Sequence, residues 1–287
     1  MIIKLWQNQP DSQWQNLHRG DMYAATIPFL ENWLSPAREA IAQTLGVSHP
    51  PDYPDSAHPD FFNKIQKARD LIKKDRRIYT GVAHLLEGLN LRPQDFYFDA
   101  VRLRAIAPGL EHIPDASMAF TWHRDMWYAN PHCQINLWIP VFDVAKEASM
   151  GILPDNWQKY VPNNSELFDY ERWCEQGGFQ SLGTHPKLFP SVTEPLDFNS
   201  LIRPALPAGQ LLAFSPAHLH CTLPNRTSQI RYTLEVRLVH LDDLQNHVTQ
   251  NVSDDNSTGS TLYDFFHCQT FSRIPHQLIT SYLRATR

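Results

Sequence analysis

The chain has 287 residues, of which 42% are hydrophobic and 19% are charged, and its formal net charge is −5 at pH 7. It has no run of roughly 18 apolar residues and its basic residues are dispersed, which argues against a membrane span, wholesale disorder and a nucleic-acid-binding surface. We therefore expect a soluble globular protein whose partner is a small-molecule substrate, with no nucleic acid and no membrane; composition leaves the oligomeric state open.

The cysteines Cys133, Cys174, Cys221 and Cys268 lie far apart and form no Cys-x-x-Cys pair. This spacing argues against a zinc ribbon and against a thioredoxin-like redox motif. The first residues lack the apolar core of a secretory signal, so we expect a cytoplasmic protein. The sequence contains 14 histidines, and histidine is the commonest metal ligand among the side chains.

From Met22 to Leu89 the hydrophobic pattern is helical. Ile27, Leu30 and Leu34 are spaced about one helical turn apart, and a second amphipathic stretch runs from Phe61 to Ile78 with a face rich in Lys and Arg. The plainer interpretation of that basic face is a solvated surface.

After residue 95 the hydrophobic period changes to two, which is typical of β-strands. Short segments rich in aromatic and branched residues are separated by Pro, Gly and Asn. The predicted strands are Phe96–Ala107, Met118–Asp125, Cys133–Asp143, Ser149–Pro154, Gly209–Ser215 and Gln229–Leu241. Strands of this kind without intervening long helices indicate a β-sandwich or barrel.

The remaining segments are an insertion and a C-terminal extension. The long insertion, residues 157–202, is predicted to be a lid or binding loop with a helix near Glu166–Gln176. A short helix is predicted at Ile274–Ala285. We expect a single domain, 1–287, comprising a helical N-terminal region at 1–94, a β core at 95–245 that contains the insertion, and an extension at 246–287.

The segment that carries most chemistry contains His123-x-Asp125. On a strand, residues two apart point to the same face, so the imidazole and the carboxylate would reach one point. A His-x-Asp triplet alone is a weak signal, because most such triplets are surface polar residues. It needs a third, distant ligand.

A third ligand is available in residues 209–225, where an apolar strand opens into a loop with His218 and His220. Either histidine could fill the position. Two histidines and a carboxylate on one face of an octahedron leave three open positions, as in non-haem Fe(II) oxygenases. The same ligand types also form catalytic zinc sites.

A receptor for a carboxylate follows at Arg231-Tyr232-Thr233. Strand alternation puts the guanidinium of Arg231 and the hydroxyl of Thr233 on one face. A planar fork of donors beside a hydroxyl suits the distal carboxylate of a dicarboxylic acid. Arg226 is a competing candidate, but it lies in a predicted turn without a partner comparable to Thr233.

In order and spacing these residues resemble those of the Fe(II)/2-oxoglutarate-dependent dioxygenases, and among them the phytanoyl-CoA dioxygenase-like family, which includes members from antibiotic pathways. The resemblance covers about residues 96–241. The His-x-Asp of that family, its distal His followed five residues later by Asn, and its Arg-x-Ser/Thr are matched by His123 and Asp125, by His220 and Asn225, and by Arg231 and Thr233.

The resemblance implies a mainly β fold with flanking helices, a double-stranded β-helix of the jelly-roll, cupin-like type. It implies that His123, Asp125 and His220 bind Fe(II), with His220 favoured over His218 by its spacing to the later motif. It also implies that 2-oxoglutarate and dioxygen are cosubstrates. It further assigns Arg231 and Thr233 to the distal carboxylate of 2-oxoglutarate. Asn136 and Trp138 share one face of their predicted strand and are candidate contacts for the keto-acid end, with ordinary inner packing as the alternative.

The implied reaction is oxidation of a small molecule, and the resemblance permits an acyl thioester, an amino acid, a terpenoid, or an aminocyclitol or sugar-like metabolite. Because the sequence has no obvious cluster of basic residues for the phosphates of coenzyme A, we favour a small polar natural-product intermediate of secondary metabolism. Halogenating relatives lack the metal-binding carboxylate, so the presence of Asp125 favours hydroxylation, desaturation or ring formation, and we take hydroxylation as the first expectation. Trp122, Trp127 and Arg104 are the candidate substrate contacts, although buried packing of the tryptophans and a solvated strand edge for the arginine are ordinary alternatives. Two other functions remain open: a zinc-dependent hydrolase or isomerase on a jelly roll, and a non-catalytic jelly-roll binding module.

Overall fold

A computed structural model describes residues 3–7, 9–54, 59–113, 116, 119–177, 189–250 and 252–286. The α-helices in these ranges are α1 (Pro10–Leu17), α2 (Leu30–Leu45), α3 (Pro59–Lys74), α4 (Arg76–Gly88), α5 (Tyr170–Glu175), α6 (Leu241–Gln245) and α7 (His276–Thr286). The strands are β1 (Ile3–Leu5), β2 (Met22–Thr26), β3 (Phe96–Phe98), β4 (Arg102–Ile106), β5 (Ile135–Pro140), β6 (Met150–Ile152), β7 (Gln210–Phe214), β8 (His220–Thr222), β9 (Arg231–His240) and β10 (Phe266–His267). None of the helices in the described ranges combines the length and the hydrophobicity that a membrane crossing requires.

The main sheet has eight strands in the order β1-β2-β7-β5-β9-β3-β10, with β4 also paired to β9. Both β3 and β4 pair antiparallel with β9, β3 at the C-terminal end of β9 and β4 along its N-terminal half. The predicted strand Phe96–Ala107 is therefore present but interrupted at residues 99–101. The long strand β9 is the one on which most of the inward-facing polar side chains lie.

The outer face of the main sheet packs against α2, α3 and α4 to form the largest apolar core. Alternate residues of β9 point into it, and Tyr232, Leu234, Val236 and Leu238 are all completely buried. The helices cover this face of the sheet, so the other residues of β9 point to the opposite side. This is the alternation expected of a strand with one apolar face.

The small sheet consists of β6 and β8, paired antiparallel. Isolated bridges extend it on both sides, since His123 pairs with His220 of β8 and Ile202 pairs with Ile152 of β6. Met150 and Ile152 of this sheet pack against inner-face residues of the main sheet in a second apolar cluster. The two opposed sheets, with helices on one outer face, form a double-stranded β-helix, as the sequence predicts.

Two local predictions are wrong. Residues 22–26 were expected to be helical, but they form β2, and its burial on both faces hides the alternation that would mark a strand. The predicted strand Met118–Asp125 is not a strand in its described part. Only His123 makes a β-bridge there, and a 3₁₀ turn begins at Asp125; Met118 lies outside the described residues.

The predicted helices agree more closely with the structure. The stretch Phe61–Ile78 is helical but divided, because Asp75 caps α4 by accepting a hydrogen bond from the backbone N–H of Arg77 at 2.9 Å. Helices α5 and α7 lie within one to four residues of the predicted Glu166–Gln176 and Ile274–Ala285.

The predicted division of the domain at residues 94 and 245 stays a prediction. Strands β1 and β2 come from the first part and β10 from the last, and all three belong to the main sheet. The role of residues 157–202 as a lid also stays a prediction, and residues 178–188 of that insertion lie outside the described part of the chain.

Candidate metal centre

Three potential metal ligands converge between the two sheets. One ligand atom from each of His123, Asp125 and His220 lies within 4.8 Å of the other two. The Nε2 atoms of His123 and His220 lie 3.6 and 3.7 Å from the same carboxylate oxygen, Oδ1 of Asp125. The described residues contain no other cluster of this type, so this is the candidate metal centre.

The backbone fixes the tautomer of both imidazoles. The Nδ1 atom of His123 lies 2.9 Å from the carbonyl oxygen of Thr121, and Nδ1 of His220 lies 2.9 Å from that of His218. A carbonyl accepts only, so each Nδ1 must donate a proton to it. The lone pairs of both Nε2 atoms are thus left for a metal ion.

The carboxylate of Asp125 is held by its second oxygen. Nδ2 of Asn136 donates a hydrogen bond to Oδ2 at 2.8 Å, and Nε of Arg237 lies 3.8 Å from the same atom. Burial acts to raise the pKa of Asp125, but the charge of Arg237 and the contacts with His123 and His220 outweigh it and hold the pKa well below its usual value. The group is therefore an anion whose Oδ1 faces the histidines.

Burial, followed by the charge of His123, lowers the pKa of His220 to about 4. This imidazole is therefore neutral at physiological pH, as metal binding requires. His218 is used elsewhere: it is completely buried, its Nε2 lies 3.1 Å from the carbonyl oxygen of Gly20, and its ring centroid lies 4.4 Å from that of Trp157. Of the two candidate histidines, the fold brings His220 to the other two ligands.

A polar stripe runs along the inner face of β9. It consists of Arg231, Thr233, Glu235 and Arg237, alternating with the apolar residues that face the helices. Arg231, Glu235 and Arg237 line the same cavity as the three ligands. Glu235 forms a 2.5 Å ion pair with Arg104 of β4. Glu235 and Arg237 were not among the predicted site residues, although the same two-residue alternation that selects Arg231 and Thr233 reaches them.

Two buried donors in this stripe have unused hydrogen-bonding capacity. Nη1 of Arg231 donates to the carbonyl oxygen of Ala148 at 3.0 Å, but its Nε has no partner among the described residues. The Thr233 hydroxyl is fully buried and likewise has no partner there. Burial lowers the pKa of Arg231 to about 10. Buried polar groups without partners are costly, so this end of the cavity is suited to an anion.

The other predicted cosubstrate and substrate residues divide into two groups. Asn136, Trp138 and Arg104 line the cavity. Trp127 is instead completely buried in an apolar cluster behind the ligands, where its indole N–H donates to Asp254 at 3.0 Å. Trp122 packs on Phe198 of the insertion, with ring centroids 5.6 Å apart. Neither tryptophan is among the residues that line the cavity.

Arg226 and Asn225 have structural partners outside the cavity. Nη1 of Arg226 pairs with Glu111 at 3.1 Å, and its side chain is 62% exposed. Asn225 is buried and donates to the carbonyl oxygens of Ile106 and Gln229 at 2.9 and 2.7 Å. Asn225 therefore stabilises the turn before β9, and this turn positions Arg231 at the start of the strand.

Beneath the metal ligands lies a buried ion pair that sequence analysis did not predict. Arg124, between His123 and Asp125, is completely buried, and its Nε donates to Oδ2 of Asp254 at 2.9 Å. The other guanidinium nitrogens donate to backbone carbonyls, namely those of Asn156, Trp157, Lys159 and Ala217. One side chain therefore joins the His-x-Asp segment to the insertion, to the loop before β8 and to the C-terminal extension.

No protein-family model matches the chain, and no curated protein does. Solved structures give remote matches. EvdO2 from Micromonospora carbonacea var. aurantiaca, complexed with 2-oxoglutarate, matches at 14% identity and a TM-score of 0.38 over 62% of this chain and 64% of its own. The epimerase SnoN in complex with Fe³⁺, alpha ketoglutarate and nogalamycin RO matches at 14% identity and a TM-score of 0.43, over 80% of this chain and 84% of its own. The non-heme monooxygenase ThoJ, as a Ni complex, matches at 12% identity and a TM-score of 0.43, over 91% of this chain and 89% of its own.

The chain thus spans just under two thirds of the length of EvdO2. At these identities and TM-scores the substrates and reactions of the three proteins do not transfer to this chain, and the phytanoyl-CoA dioxygenase-like assignment stays a prediction.

Proposed function

We propose that the chain is a non-haem iron enzyme that uses Fe(II), 2-oxoglutarate and dioxygen to oxidise a small organic molecule, most simply by hydroxylation. The observation that carries the proposal is the pairing of two features in one cavity. Three metal ligands lie at one part of it, and the buried guanidinium of Arg231, whose Nε has no partner among the described residues, lies at another. The Thr233 hydroxyl, also buried and without a partner there, lies on the same face of β9 as Arg231. A metal site alone would not require the second feature.

The donor set fits Fe(II). His123 and His220 offer the lone pairs of their Nε2 atoms, and Asp125 offers one oxygen while Asn136 holds the other. Two imidazoles and one carboxylate are the ligands of the facial triad in non-haem iron oxygenases. When bound, iron, 2-oxoglutarate and dioxygen together would supply the oxidising power of the reaction, and 2-oxoglutarate would be converted to succinate and carbon dioxide.

The residues of the chain bind, orient and exclude water. Arg231 and Thr233 would hold the distal carboxylate of 2-oxoglutarate, which supplies the acceptors that their orphan donors lack. Trp138 and Phe214 form apolar walls of the cavity. Such walls keep water from a reactive centre. Asn136 and Arg237 keep Oδ1 of Asp125 directed at the metal position.

The substrate would enter beside Arg104 and Glu235, the ion pair that lines the same cavity. A charged wall favours a polar substrate over a hydrocarbon one. This supports a small polar metabolite of the natural-product type, and it supports Arg104 over the tryptophans as a substrate contact.

The proposal is tested by metal analysis of protein purified without oxygen, combined with a succinate assay in the presence of 2-oxoglutarate. Stoichiometric iron with succinate formation supports it. Zinc without any 2-oxoglutarate turnover would instead identify a hydrolase or isomerase, since the same ligands bind zinc. Protein that retains neither metal would indicate a binding module.

Arg231→Ala is expected to raise the 2-oxoglutarate concentration that gives half-maximal succinate formation by roughly 30-fold or more. Losing one buried contact between a guanidinium and a carboxylate costs about 2 to 5 kcal/mol, and each 1.4 kcal/mol is about tenfold. Arg226→Ala is the matched control, because this exposed arginine pairs with Glu111 outside the cavity. Equal effects of the two substitutions would remove Arg231 from the proposed role.

A further inference from the structure

A second cavity lies on the outside of the protein, away from the metal centre. It is a cleft of about 350 Å³ between the end of α3, the start of α4 and the turn after β10. We call it the basic–aromatic cleft, and its lining residues are Lys73, Lys74, Arg76, Tyr79, Thr80, Phe266, Phe271 and Arg273. It shares no residue with the cavity of the metal ligands.

The cleft concentrates positive charge on a protein whose net charge is −5. Four of its lining residues are cationic, and none carries a carboxylate. Within the described part of the chain, Lys73, Lys74 and Arg76 form no ion pair with an acidic side chain. Like charges placed together repel each other, so an arrangement of this kind is stabilised by a bound anion.

The helix dipole accounts for only two of the four cationic residues of the cleft. Lys73 and Lys74 lie in the last turn of α3, where cations interact favourably with the helix dipole. Arg76 is the first residue of α4, the end at which the dipole disfavours a cation. Arg273 comes from a different part of the chain. The solvated-face interpretation of the α3 sequence therefore does not account for the cleft.

The second feature of the cleft is a wall of aromatic rings. Tyr79 and Phe266 are stacked, with centroids 5.8 Å apart and ring planes 23° apart. Phe271 lies 5.9 Å from Phe266 and is 39% exposed. Its φ is +56°, a left-handed conformation that is disfavoured for a bulky residue. The guanidinium of Arg273 lies over the Phe266 ring, 5.8 Å from its centroid.

The turn that presents Phe271 is ordered by its own backbone. The N–H of Phe271 donates to the carbonyl oxygen of His267 at 2.9 Å, and the N–H of His267 donates to that of Ser272 at 2.8 Å. The exposed ring is thus held in a strained conformation by a fixed turn. Strain of this kind tends to occur at functional positions.

We propose that the basic–aromatic cleft binds a planar aromatic ring that carries several negative charges, a ligand of the nucleotide class. The ring would stack on the exposed Phe271, and the phosphates would lie among Lys73, Lys74 and Arg76. Aromatic side chains stack on nucleobases with little dependence on base identity, and the volume of the cleft is within the range of small-ligand sites. The proposal is independent of the proposed iron chemistry.

The test is calorimetric titration of the full chain with ATP, adenosine and tripolyphosphate, in EDTA and at low ionic strength. ATP is expected to bind more tightly than either of the other two probes, because only ATP has both the ring and the charge. Its affinity is expected to fall with added salt. His123→Ala is expected to bind ATP like the native protein, which separates this site from the metal centre.

Two variants that preserve the fold test the two features separately. Arg76→Glu is expected to weaken ATP binding at least about tenfold, and a glutamate at the first position of α4 suits the helix dipole. Phe271→Gly also relieves the positive φ, and it is expected to weaken ATP but not tripolyphosphate. Lys67→Glu is the matched control, since this exposed lysine lies on α3 outside the cleft.

Three results would overturn the proposal. The first is the absence of ATP binding to the native protein. The second is a loss in Lys67→Glu as large as that in Arg76→Glu, because binding would then follow overall charge. The third is equal affinity for ATP and tripolyphosphate with no effect of Phe271→Gly, which would leave no role for the aromatic wall.

Discussion

Asp125→Ala is expected to abolish both stoichiometric iron binding and all decarboxylation of 2-oxoglutarate. The carboxylate supplies the only formal negative charge among the three converging ligands, and its Oδ1 lies within 3.7 Å of both histidine Nε2 atoms. Without it, only two imidazoles, which carry no negative charge, must hold a dication in a buried site beside Arg237. The measurement is the iron content after anaerobic reconstitution, followed by succinate formation on addition of oxygen.

His218→Ala is the control for this experiment. This histidine is two residues from His220 and equally capable of binding a metal, yet its ring packs on Trp157 and its nitrogens lie near backbone carbonyls. The variant is expected to retain iron, whereas His123→Ala and His220→Ala are expected to lose it. An iron-free His218→Ala protein that is still folded by circular dichroism would reverse the choice of the third ligand.

The site residues that the sequence predicts well are those whose positions follow from the alternation of apolar and polar residues along a strand. On β9 the apolar residues face the helices and the polar residues point to the opposite side, so Arg231 and Thr233 are identified with little knowledge of the fold. The same rule extends to Glu235 and Arg237. Those two residues lie beyond the Arg-x-Ser/Thr motif, which names only Arg231 and Thr233.

The His-x-Asp segment reaches its geometry by a route that alternation does not describe. His123 forms a single bridge to His220, and Asp125 then begins a 3₁₀ turn. The backbone N–H of Asp125 donates to the carbonyl oxygen of Pro216 at 2.9 Å. The ligands are thus positioned by contacts with a segment more than 90 residues away in the sequence, and no local pattern encodes such contacts.

Strand β2 illustrates a different limit. Its residues are buried on both faces, with Tyr23 and Ala25 in the core beneath the helices and Met22 and Ala24 in the core between the sheets. A strand covered on both faces shows a continuous apolar run, which cannot be distinguished from a helix by periodicity alone. Only its pairing with β7 reveals that the N-terminal region completes the main sheet.

Asp254→Ala is expected to destabilise the protein by about 3 to 5 kcal/mol, the usual cost of removing one partner of a buried ion pair. Asp254 is completely buried, and its two oxygens accept hydrogen bonds from Arg124, Trp127 and the backbone of Val161. The substitution would leave the guanidinium of Arg124 charged and without its counter-ion. The measurement is the free energy of unfolding from urea denaturation, with the exposed Asp155→Ala as the control.

The double variant Arg124→Met/Asp254→Leu distinguishes the cost of an unpaired buried charge from the cost of lost packing. Removing both charges is expected to recover much of the stability lost in Asp254→Ala, because no unpaired ion remains in the interior. Metal affinity should not recover in parallel: Arg124 also ties the His-x-Asp segment to four backbone carbonyls, and methionine cannot donate to them. A double variant that regains stability and binds iron as tightly as the native protein would mean that the pair stabilises the fold without positioning His123 and Asp125. Weakened iron binding in a stable double variant would instead assign Arg124 a positioning role, exerted from a residue that touches neither metal nor substrate.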